Sequence, residues 1–469
     1  MHPDRHYKEG HSVKHRCHRS KKYEAHERDK EDGEAVYVLD VPPSSNASNK
    51  PITFPKPPRH NTGKAKPLGM PLTKCDSPWS LIHGTVDWLL NHVVGHPTSS
   101  EHHPSRQPAL GIDFILCMGD NARHDSDTEM PRSLDHIMVA NAKIAAMLDE
   151  RLSHVPIVFT IGNNDVYPHN VMEAGPNHVL RKLLNIWRPF IPENQVHVFL
   201  EGGYFVKEVV PNALTVISLN TIYFYRANPV VDGCELAARN MTAYIIGHVS
   251  PSPLLYHPEC LRRYARIIRQ WSGFGAKEVD RVVVAGQYFG HSNVDHFYFI
   301  EEEPDIDEHA GSSSISSRLG GPPLKTASAS SIEYLTKLFK QYRKAGEEGA
   351  LGPVVQVVPS VIPTYNPTLR IASYAVPSAK EQHAAYQFGQ PLDYTQYYFD
   401  LLRLNEHAQA GHVRDSEMTV NYTVEYEALQ AYELSGLTST EYARLAGRLY
   451  ANSTLRNEYM RRYFVNTID

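Results

Sequence analysis

Two short apolar runs, each ending in a glycine and an oxygen-bearing side chain, constrain the fold of this chain more than any other feature. Residues 112–118 lead directly into Gly119-Asp120, and residues 155–161 lead into Gly162-Asn163. Apolar runs of this length are typical of buried β-strands, and glycine lets the backbone turn sharply at the strand end. Oxygen side chains at two such ends are what a shared cation site requires.

Two later apolar runs are followed by imidazoles. The run that begins at Ala243 ends in Gly247-His248, and residues 281–286 lead to Gly290-His291. Oxygen and imidazole donors without a thiolate suit Zn, Mn, Fe or Mg, and one carboxylate shared by two ions holds them ~3.5–4 Å apart. The sequence therefore predicts a divalent-metal site whose candidate ligands are His2, Asp120, Asn163, His248, His291 and Asn293.

The apolar periodicity predicts helices between the strands, over about 133–152, 176–187 and 257–271, with β-rich sequence at 196–222. Strands that alternate with helices predict an α/β fold with ligands at strand ends. The polar composition predicts exposed insertions over about 20–75 and 301–331. We expect a main domain over 1–400 and a Tyr-rich C-terminal extension over 401–469, helical from about 424.

The overall charge limits the partners of the chain. Its 469 residues carry a formal net charge of −5 with His neutral, which argues against a general nucleic-acid binder. The 26 His would make the surface strongly cationic in an acidic compartment. No stretch reaches transmembrane length, so we expect a membrane anchor only through a segment preceding Met1. The sequence sets no oligomeric state.

Cysteines and glycosylation sequons favour an oxidising lumen. Cys117 is expected to be a buried thiol within a strand, whereas four other cysteines lie in loop-like sequence and are candidates for disulfides: Cys17, Cys75, Cys234 and Cys260. Four Asn-X-Ser/Thr sequons point the same way, at Asn46, Asn240, Asn421 and Asn452. Met1 begins a charged segment and not a signal peptide, so we expect the native N-terminus to lie upstream.

Taken together, the motifs resemble those of a known family. In chain order, Gly119-Asp120, Gly162-Asn163-Asn164-Asp165, Gly247-His248 and Gly290-His291-Ser292-Asn293 are similar to the motifs of calcineurin-like metallophosphoesterases. The segment beginning at His2-Pro3-Asp4 resembles the continuation of that family's opening Asp-x-His motif. The closer resemblance is to fungal-type endopolyphosphatases, relatives of acid sphingomyelinase, and it extends to the Tyr-rich tail.

The resemblance implies a fold and a set of residue roles. The fold would be a four-layer sandwich of two mixed β-sheets flanked by helices, with a helical C-terminal extension. One metal would be held by His2, Asp120 and Asn293, and a second by Asp120, Asn163, His248 and His291. Arg123, His124 and Asp125 would line the phosphate side, and the catalytic residues would be His124, Asn164 and Arg123.

This sequence departs from the family pattern at three positions. The Asp of Asp-x-His would precede Met1, which we interpret as truncation. Asn164 stands where a catalytic His is usual, so protonation of the leaving group would fall to His124 or His169. Asn293 replaces the second His of Gly-His-x-His. The two Asn are shared with the polyphosphatase branch, and Asn164 is alternatively a simple turn residue.

The resemblance implies a hydrolase that cleaves internal phosphoanhydride bonds of inorganic polyphosphate with two divalent ions, drawn from Zn, Mn, Mg, Fe and Co. It implies an N-glycosylated protein in the vacuole lumen or on the lumenal side of the vacuolar membrane. Two alternatives remain open. One is a sphingomyelinase-like phosphodiesterase, and the other is a non-catalytic polyphosphate-binding protein, because one metal carboxylate is absent from the sequence.

Overall fold

Strands and helices alternate along the computed structural model, which describes residues 1–19, 36–41, 51–60, 62–94, 111–230, 243–274, 282–302, 327–376 and 388–468. The strands are β1 (Val36–Leu39), β2 (Ile52–Pro55), β3 (Ile115–Cys117), β4 (Ile157–Phe159), β5 (Phe205–Val210), β6 (Leu214–Ser218), β7 (Ala243–Gly247), β8 (Val284–Phe289), β9 (His296–Phe299), β10 (Val354–Val357), β11 (Thr368–Tyr374), β12 (Pro391–Tyr398) and β13 (Thr423–Glu427). The helices are α1 (Trp79–Leu89), α2 (Leu134–Leu152), α3 (His178–Trp187), α4 (Val196–Gly202), α5 (Pro258–Trp271), α6 (Ala327–Glu348), α7 (Leu401–Gln409), α8 (Ala428–Tyr432), α9 (Ser439–Ala451) and α10 (Ser453–Tyr463).

The largest sheet is mixed and has six strands in the order β5-β6-β7-β8-β10-β9. Its inner neighbours β6-β7, β7-β8 and β8-β10 are parallel, whereas β5 and β9 run antiparallel at the two edges. A separate pair, β3-β4, is also parallel. This arrangement confirms a mixed α/β fold with a multi-strand mixed sheet.

Strand β4 and the helices near the parallel pairs form as predicted, whereas the three residues of β3 are half-buried and not fully buried. All three residues of β4 are buried, as expected for a parallel strand. Helix α2 begins after Ser133, whose side chain accepts from the His136 backbone N–H, and α3 begins after Asn177, which accepts from Leu180. These caps satisfy N–H groups that have no partner within the helix.

The C-terminal extension shares the main hydrophobic core. Aromatic residues after position 401 pack there with residues from the earlier part of the chain, and the Tyr342 hydroxyl lies 2.7 Å from that of Tyr459. The expectation of helix from about 424 is wrong at its start, because residues 423–427 form β13, antiparallel to β12. Thr423 and Val424 favour the extended backbone, and Tyr426 is buried against the core.

The expected exposed insertion at 20–75 is wrong for part of its described residues, because they include a half-buried hairpin. Strands β1 and β2 pair antiparallel and bury alternate side chains, Tyr37 and Leu39 on one strand and Ile52 and Phe54 on the other. This period of two places one face of the hairpin on the core. The second expected insertion, 301–331, lies outside the described residues except at 301–302 and at the start of α6.

The cysteine and secondary-structure expectations have mixed outcomes. Cys17 and Cys75 form a disulfide, and Cys117 is the free thiol among the described residues. Cys260 is also disulfide-bonded, but it lies in α5 and not in a loop. The first part of the predicted β-rich segment is helix α4. No helix in the described ranges combines the length and apolarity that crossing a membrane requires. Cys234, Asn46 and Asn240 lie outside those ranges.

Candidate metal centre

The candidate centre lies where the carboxyl ends of two parallel strand pairs meet. Strand β3 leads to Asp120 and β4 to Asn163, while β7 in the large sheet leads to His248 and β8 to His291. Ligands commonly bind in the crevice beyond the carboxyl ends of parallel strands. The structure therefore brings together side chains that are up to 171 positions apart in the chain.

The backbone at the centre is unusual. Asp120 has φ 57°, His291 has φ 71°, Asn293 has φ 58° and His2 has φ 48°. Left-handed conformations are rare for residues other than glycine, and they concentrate at functional sites. Gly162 is required for another reason, because a Cβ atom there would lie 2.2 Å from Oδ1 of Asp120.

Asp120, Asn163, His248 and His291 form one compact group of donor atoms. Nε2 of His248 lies 3.0 Å from Oδ2 of Asp120 and 2.9 Å from Oδ1 of Asn163. Nδ1 of His291 lies 3.1 Å from the same Asn163 oxygen and 3.2 Å from Nε2 of His248. Asp120, His248 and His291 have the spacing of a possible metal-binding cluster.

Further hydrogen bonds orient the donor atoms of His248 and Asn163 toward one another. Nδ1 of His248 donates to the Met118 carbonyl at 2.7 Å, which leaves the Nε2 lone pair facing the group. The amide nitrogen of Asn163 lies 3.0 Å from Oδ1 of Asn170 and from Nε2 of His169, which fixes its oxygen on the histidines. Lone pairs that converge in this way require a proton or a cation between them. The donors therefore fit a borderline divalent ion with oriented imidazole ligands.

Asp120 is held by the residues that follow Asn163. The backbone N–H of Asn164 donates to Oδ1 of Asp120 at 2.8 Å, and its side-chain amide donates to Oδ2 at 3.0 Å. The carboxylate of Asp165 accepts from the backbone N–H groups of Asp120, Asn121 and Gly162. Asn164 thus positions the shared carboxylate, and its amide has no proton to transfer in the pH range of catalysis.

A second possible metal-binding cluster contains His2, Asp76 and His124. Nε2 of His2 lies 3.2 Å from Oδ2 of Asp120, and the His2 ring stacks on His124 with centroids 4.2 Å apart. His2 is set there by backbone hydrogen bonds from its N–H to the Asp120 carbonyl and from Ser77 to its own carbonyl. The two clusters are therefore adjacent, with the Asp120 carboxylate between His2 and His248.

Asp76 is a site residue that sequence reasoning missed. Its carboxylate is buried and accepts from Nδ1 of His124 at 2.6 Å and from the backbone N–H of His124. Burial lowers the pKa of His124, but Asp76 outweighs it and holds the pKa above its usual value. Asp76 precedes α1 and does not end a strand. The one local signal that could have drawn attention to it is the neighbouring Cys75, which forms a disulfide with Cys17.

Two predicted site residues make other contacts in the structure. Oδ1 of Asn293 accepts from the Ser360 hydroxyl at 2.7 Å, and the described hydrogen bonds do not join it to His2 or Asp120. The Arg123 guanidinium donates to the carbonyls of His124 and Met130. Asn293 therefore remains a prediction as a metal ligand, and among the described residues the Arg123 guanidinium contacts the backbone of His124 but none of the candidate metal-binding atoms.

Burial and nearby charges shift the pKa values of the candidate ligands in different directions. Burial raises the pKa of Asp120, but His248 and His2 outweigh it and hold the pKa well below its usual value. Burial and His124 lower the pKa of His2 to about 4, and burial and His248 lower that of His291 to about 3. Burial lowers the pKa of His248, but Asp120 outweighs it and keeps it above its usual value. His2 and His291 thus stay neutral in mild acid.

The fold and the site define a mixed α/β protein with a candidate divalent-metal centre at its strand ends. No protein-family model matches the chain. It is similar to endopolyphosphatases of Cryptococcus neoformans (34% identical over 423 residues, 80% of this chain and 57% of that protein), Neurospora crassa (32% over 374 residues, 67% and 48%) and Schizosaccharomyces pombe (29% over 410 residues, 81% and 61%). The chain spans about half to three-fifths of the length of these relatives. It is a relative of the fungal-type endopolyphosphatases, which confirms the resemblance seen in its motifs.

Proposed function

We propose that this chain is a metal-dependent hydrolase that cleaves internal phosphoanhydride bonds of inorganic polyphosphate. The observation that carries the proposal is the Asp120 carboxylate, whose Oδ2 lies 3.2 Å from Nε2 of His2 and 3.0 Å from Nε2 of His248. A carboxylate shared by two clusters is the arrangement of two-metal phosphohydrolases. The similarity to proteins named endopolyphosphatase selects the substrate.

The proposal includes two divalent ions, drawn from Zn, Mn, Mg, Fe and Co. His2 and Asp120 would hold the first with Asn293, and Asp120 would share the second with three residues that already converge: Asn163, His248 and His291. When bound, such ions polarise a phosphoryl oxygen and make water a better nucleophile at neutral pH.

His124 is the favoured proton donor to the leaving phosphate. Its Nδ1–H donates to Asp76, which leaves Nε2 free to hold a transferable proton. Burial and Arg132 lower the pKa of the other candidate, His169, to about 4, and its Nε2 faces the Asn163 amide. A group that is neutral at working pH is a poor acid. The geometry therefore favours His124 over His169.

Arg123 would offset negative charge that develops on the phosphoryl oxygens. Its guanidinium donates to two backbone carbonyls, and the described residues give it no carboxylate within salt-bridge distance. An arginine bound only to carbonyls keeps its full charge for an anion.

Three broader expectations belong to the proposal. The fold would be the four-layer sandwich of two mixed sheets, with a main domain over 1–400 and the C-terminal extension over 401–469. The protein would be N-glycosylated in the vacuole lumen or on the lumenal side of the vacuolar membrane. The Cys17–Cys75 disulfide supports an oxidising compartment, and the exposed sequon residues Asn421 and Asn452 support N-glycosylation.

The test is cleavage of long-chain polyphosphate across the five candidate metals, with sphingomyelin and a nucleoside triphosphate as comparison substrates. We expect electrophoresis to show a shift to intermediate chain lengths before free phosphate accumulates, since internal cleavage shortens chains from within. Chelation should stop the reaction, and metal should restore it. Preference for sphingomyelin, or no polyphosphate cleavage with any of these metals, would overturn the proposal.

A further inference from the structure

A cationic cavity lies beside the candidate metal centre. It is formed by the N-terminal segment, the loop that follows Asp120 and the side of α2. The residues that matter for its chemistry are Arg5, Trp79, Arg123, Arg132, His136 and Lys143. None of these six is a candidate metal ligand, and all six carry N–H groups that can donate to an anion.

Arg132 forms the buried base of the cavity. It is 4% exposed, and one terminal nitrogen donates to the carbonyls of Arg123 and Asn164, each at 2.7 Å. Its Nε and its other terminal nitrogen are buried and have no hydrogen-bond partner among the described residues. Unpaired guanidinium donors in a buried position are costly, and an anion in the cavity would satisfy them.

The other cations of the cavity also lack acidic partners. Within the described part of the chain, no carboxylate lies within 4.0 Å of the side-chain nitrogens of Arg5, Arg123, Arg132 or Lys143. The Lys143 ammonium lies over the Trp79 ring, 5.4 Å from its centroid. Asp125 and Asp120 attract Arg132 from beyond ion-pair distance, but the four cations have no direct ion pair in the described residues and repel one another. This cost is removed when an anion binds between them.

His136 adds a further donor. Arg5 donates to Nε2 of His136 at 2.7 Å, so the ring hydrogen of the neutral imidazole is on Nδ1. That Nδ1 is buried and has no partner among the described residues. The cavity therefore combines unpaired N–H donors from Arg132 and His136 with the charges at its rim.

We propose that this cavity binds phosphate groups of the polyphosphate chain next to the phosphate that is cleaved. The inference rests on the proposed function and extends it to a site outside the metal centre. Guanidinium groups match phosphate oxygens with paired donors. The apolar side of the cavity, at Ala122 and Ile137, reduces solvent screening and strengthens the attraction.

The cavity is connected to the metal centre by hydrogen bonds. Arg132 donates to the carbonyl of Asn164, and Asn164 in turn donates to both oxygens of Asp120. A phosphate on Arg132 would therefore lie close to the carboxylate shared by the two clusters. A chain held at both places presents an internal bond to the centre, which is what internal cleavage requires.

The experiment measures binding of polyphosphate of one fixed length to the full chain in a chelator, which prevents turnover. The test variant is Arg5→Gln with Lys143→Gln, because both residues are exposed and their loss leaves the core intact. The matched control is Arg444→Gln with Lys344→Gln, which removes the same charges from α9 and α6, where each cation pairs with a glutamate. Isothermal titration calorimetry at two salt concentrations gives Kd.

We expect the test variant to bind polyphosphate roughly 10-fold more weakly and with a smaller salt dependence, because charge-assisted contacts are lost. The control should bind as the unchanged chain does. An unchanged Kd in the test variant, or an equal loss of affinity in the control, would overturn the proposal that the cavity binds phosphate. If the unchanged chain cleaves no polyphosphate with any metal while the test variant still loses affinity, the proposed function fails and the anion site stands.

Discussion

At the scale of single residues, Asp120 has the largest expected effect, because its carboxylate is shared by both clusters. We predict that Asp120→Asn lowers metal affinity and polyphosphate cleavage by more than the roughly 10–100-fold typical of changes behind the ligand shell. The fold should persist, since Asn keeps an oxygen for one of the two Asn164 contacts and removes repulsion with Asp165. Metal content per chain, turnover and the thermal unfolding midpoint measure this.

The control for Asp120→Asn is Asp87→Asn, which removes a carboxylate that is exposed and paired with Arg151. It should retain full metal content and turnover. Near-normal turnover in Asp120→Asn would contradict the shared-carboxylate assignment, and a collapse of its unfolding midpoint would show that the residue is structural.

The residues that were predictable from the sequence are those that follow an apolar run. Asp120, Asn163, His248 and His291 each lie just beyond a strand, and parallel strands bring such positions to one edge. Asp76 precedes a helix and Arg132 lies in a loop, so no periodicity marks either one. Their roles come from long-range contacts, Asp76 with His124 and Arg132 with Asn164, that local patterns do not encode.

At the scale of elements, the N-terminal segment is fixed by His18 as well as by the disulfide at Cys17. The His18 ring lies 2.6 Å from Asp4 and 2.8 Å from Asp127, and burial lowers its pKa less than these carboxylates raise it. A raised folded pKa means that the protonated ring stabilises the fold below its unfolded pKa of ~6.5. That contribution is lost as pH rises through the folded pKa.

We therefore predict that His18→Gln destabilises the chain more at pH 5.5 than at pH 9, by roughly 1–3 kcal/mol, the worth of a charged hydrogen bond. Denaturant unfolding of both proteins at the two pH values measures the difference. His154→Gln, at an exposed position beyond α2, is the control and should show no such pH dependence. An equal loss for His18→Gln at both pH values would mean that the ring acts by packing and not by charge.

A second element-scale prediction concerns the crossing of α6 and α9, which joins the C-terminal extension to the rest. A Cβ atom on Gly447 would lie 2.8 Å from Cα of Gly346 in the facing helix. Gly447→Ala should force the helices apart and cost about 1–3 kcal/mol of unfolding free energy, as overpacking does. Gly436→Ala, where a Cβ would meet nothing within 4 Å, should change stability little. Equal stability of the two variants would contradict the close crossing.

The positions of the helices were predicted better than the burial of the segments between them. Helices α2, α3 and α5 fall close to the positions that their apolar periodicity indicates. The hairpin β1-β2 was mistaken for an exposed insertion, because its few core residues stand in polar sequence. The buried face becomes visible only in the structure, where Tyr37 pairs with Phe54 and Leu39 pairs with Ile52.

At the scale of the whole molecule, the net charge does not favour a polyanion, since it is −5 with His neutral. Attraction to polyphosphate at neutral pH must therefore come from local cations such as those of the cavity. As pH falls, histidines with ordinary pKa values near ~6.5 become charged, and the chain has 26 His in all. The net charge of the protein then becomes positive, and this adds a long-range attraction for polyphosphate to the local attraction of the cavity.

We predict that the Kd for a fixed-length polyphosphate decreases as the pH is lowered from 7.5 to 5, and that it rises steeply with salt at either pH.

The rate of cleavage should depend on pH differently. His2 and His291, with pKa values lowered to about 4 and 3, remain neutral ligands at pH 5, but the raised pKa of His248 lets a proton compete with the ion there. The rate optimum should therefore lie above the binding optimum, and saturating metal should move it toward lower pH. Calorimetric Kd values at two pH values and two salt concentrations, together with rates at low and high metal, measure both effects. A Kd insensitive to pH and salt would remove the electrostatic basis for a polyanion substrate.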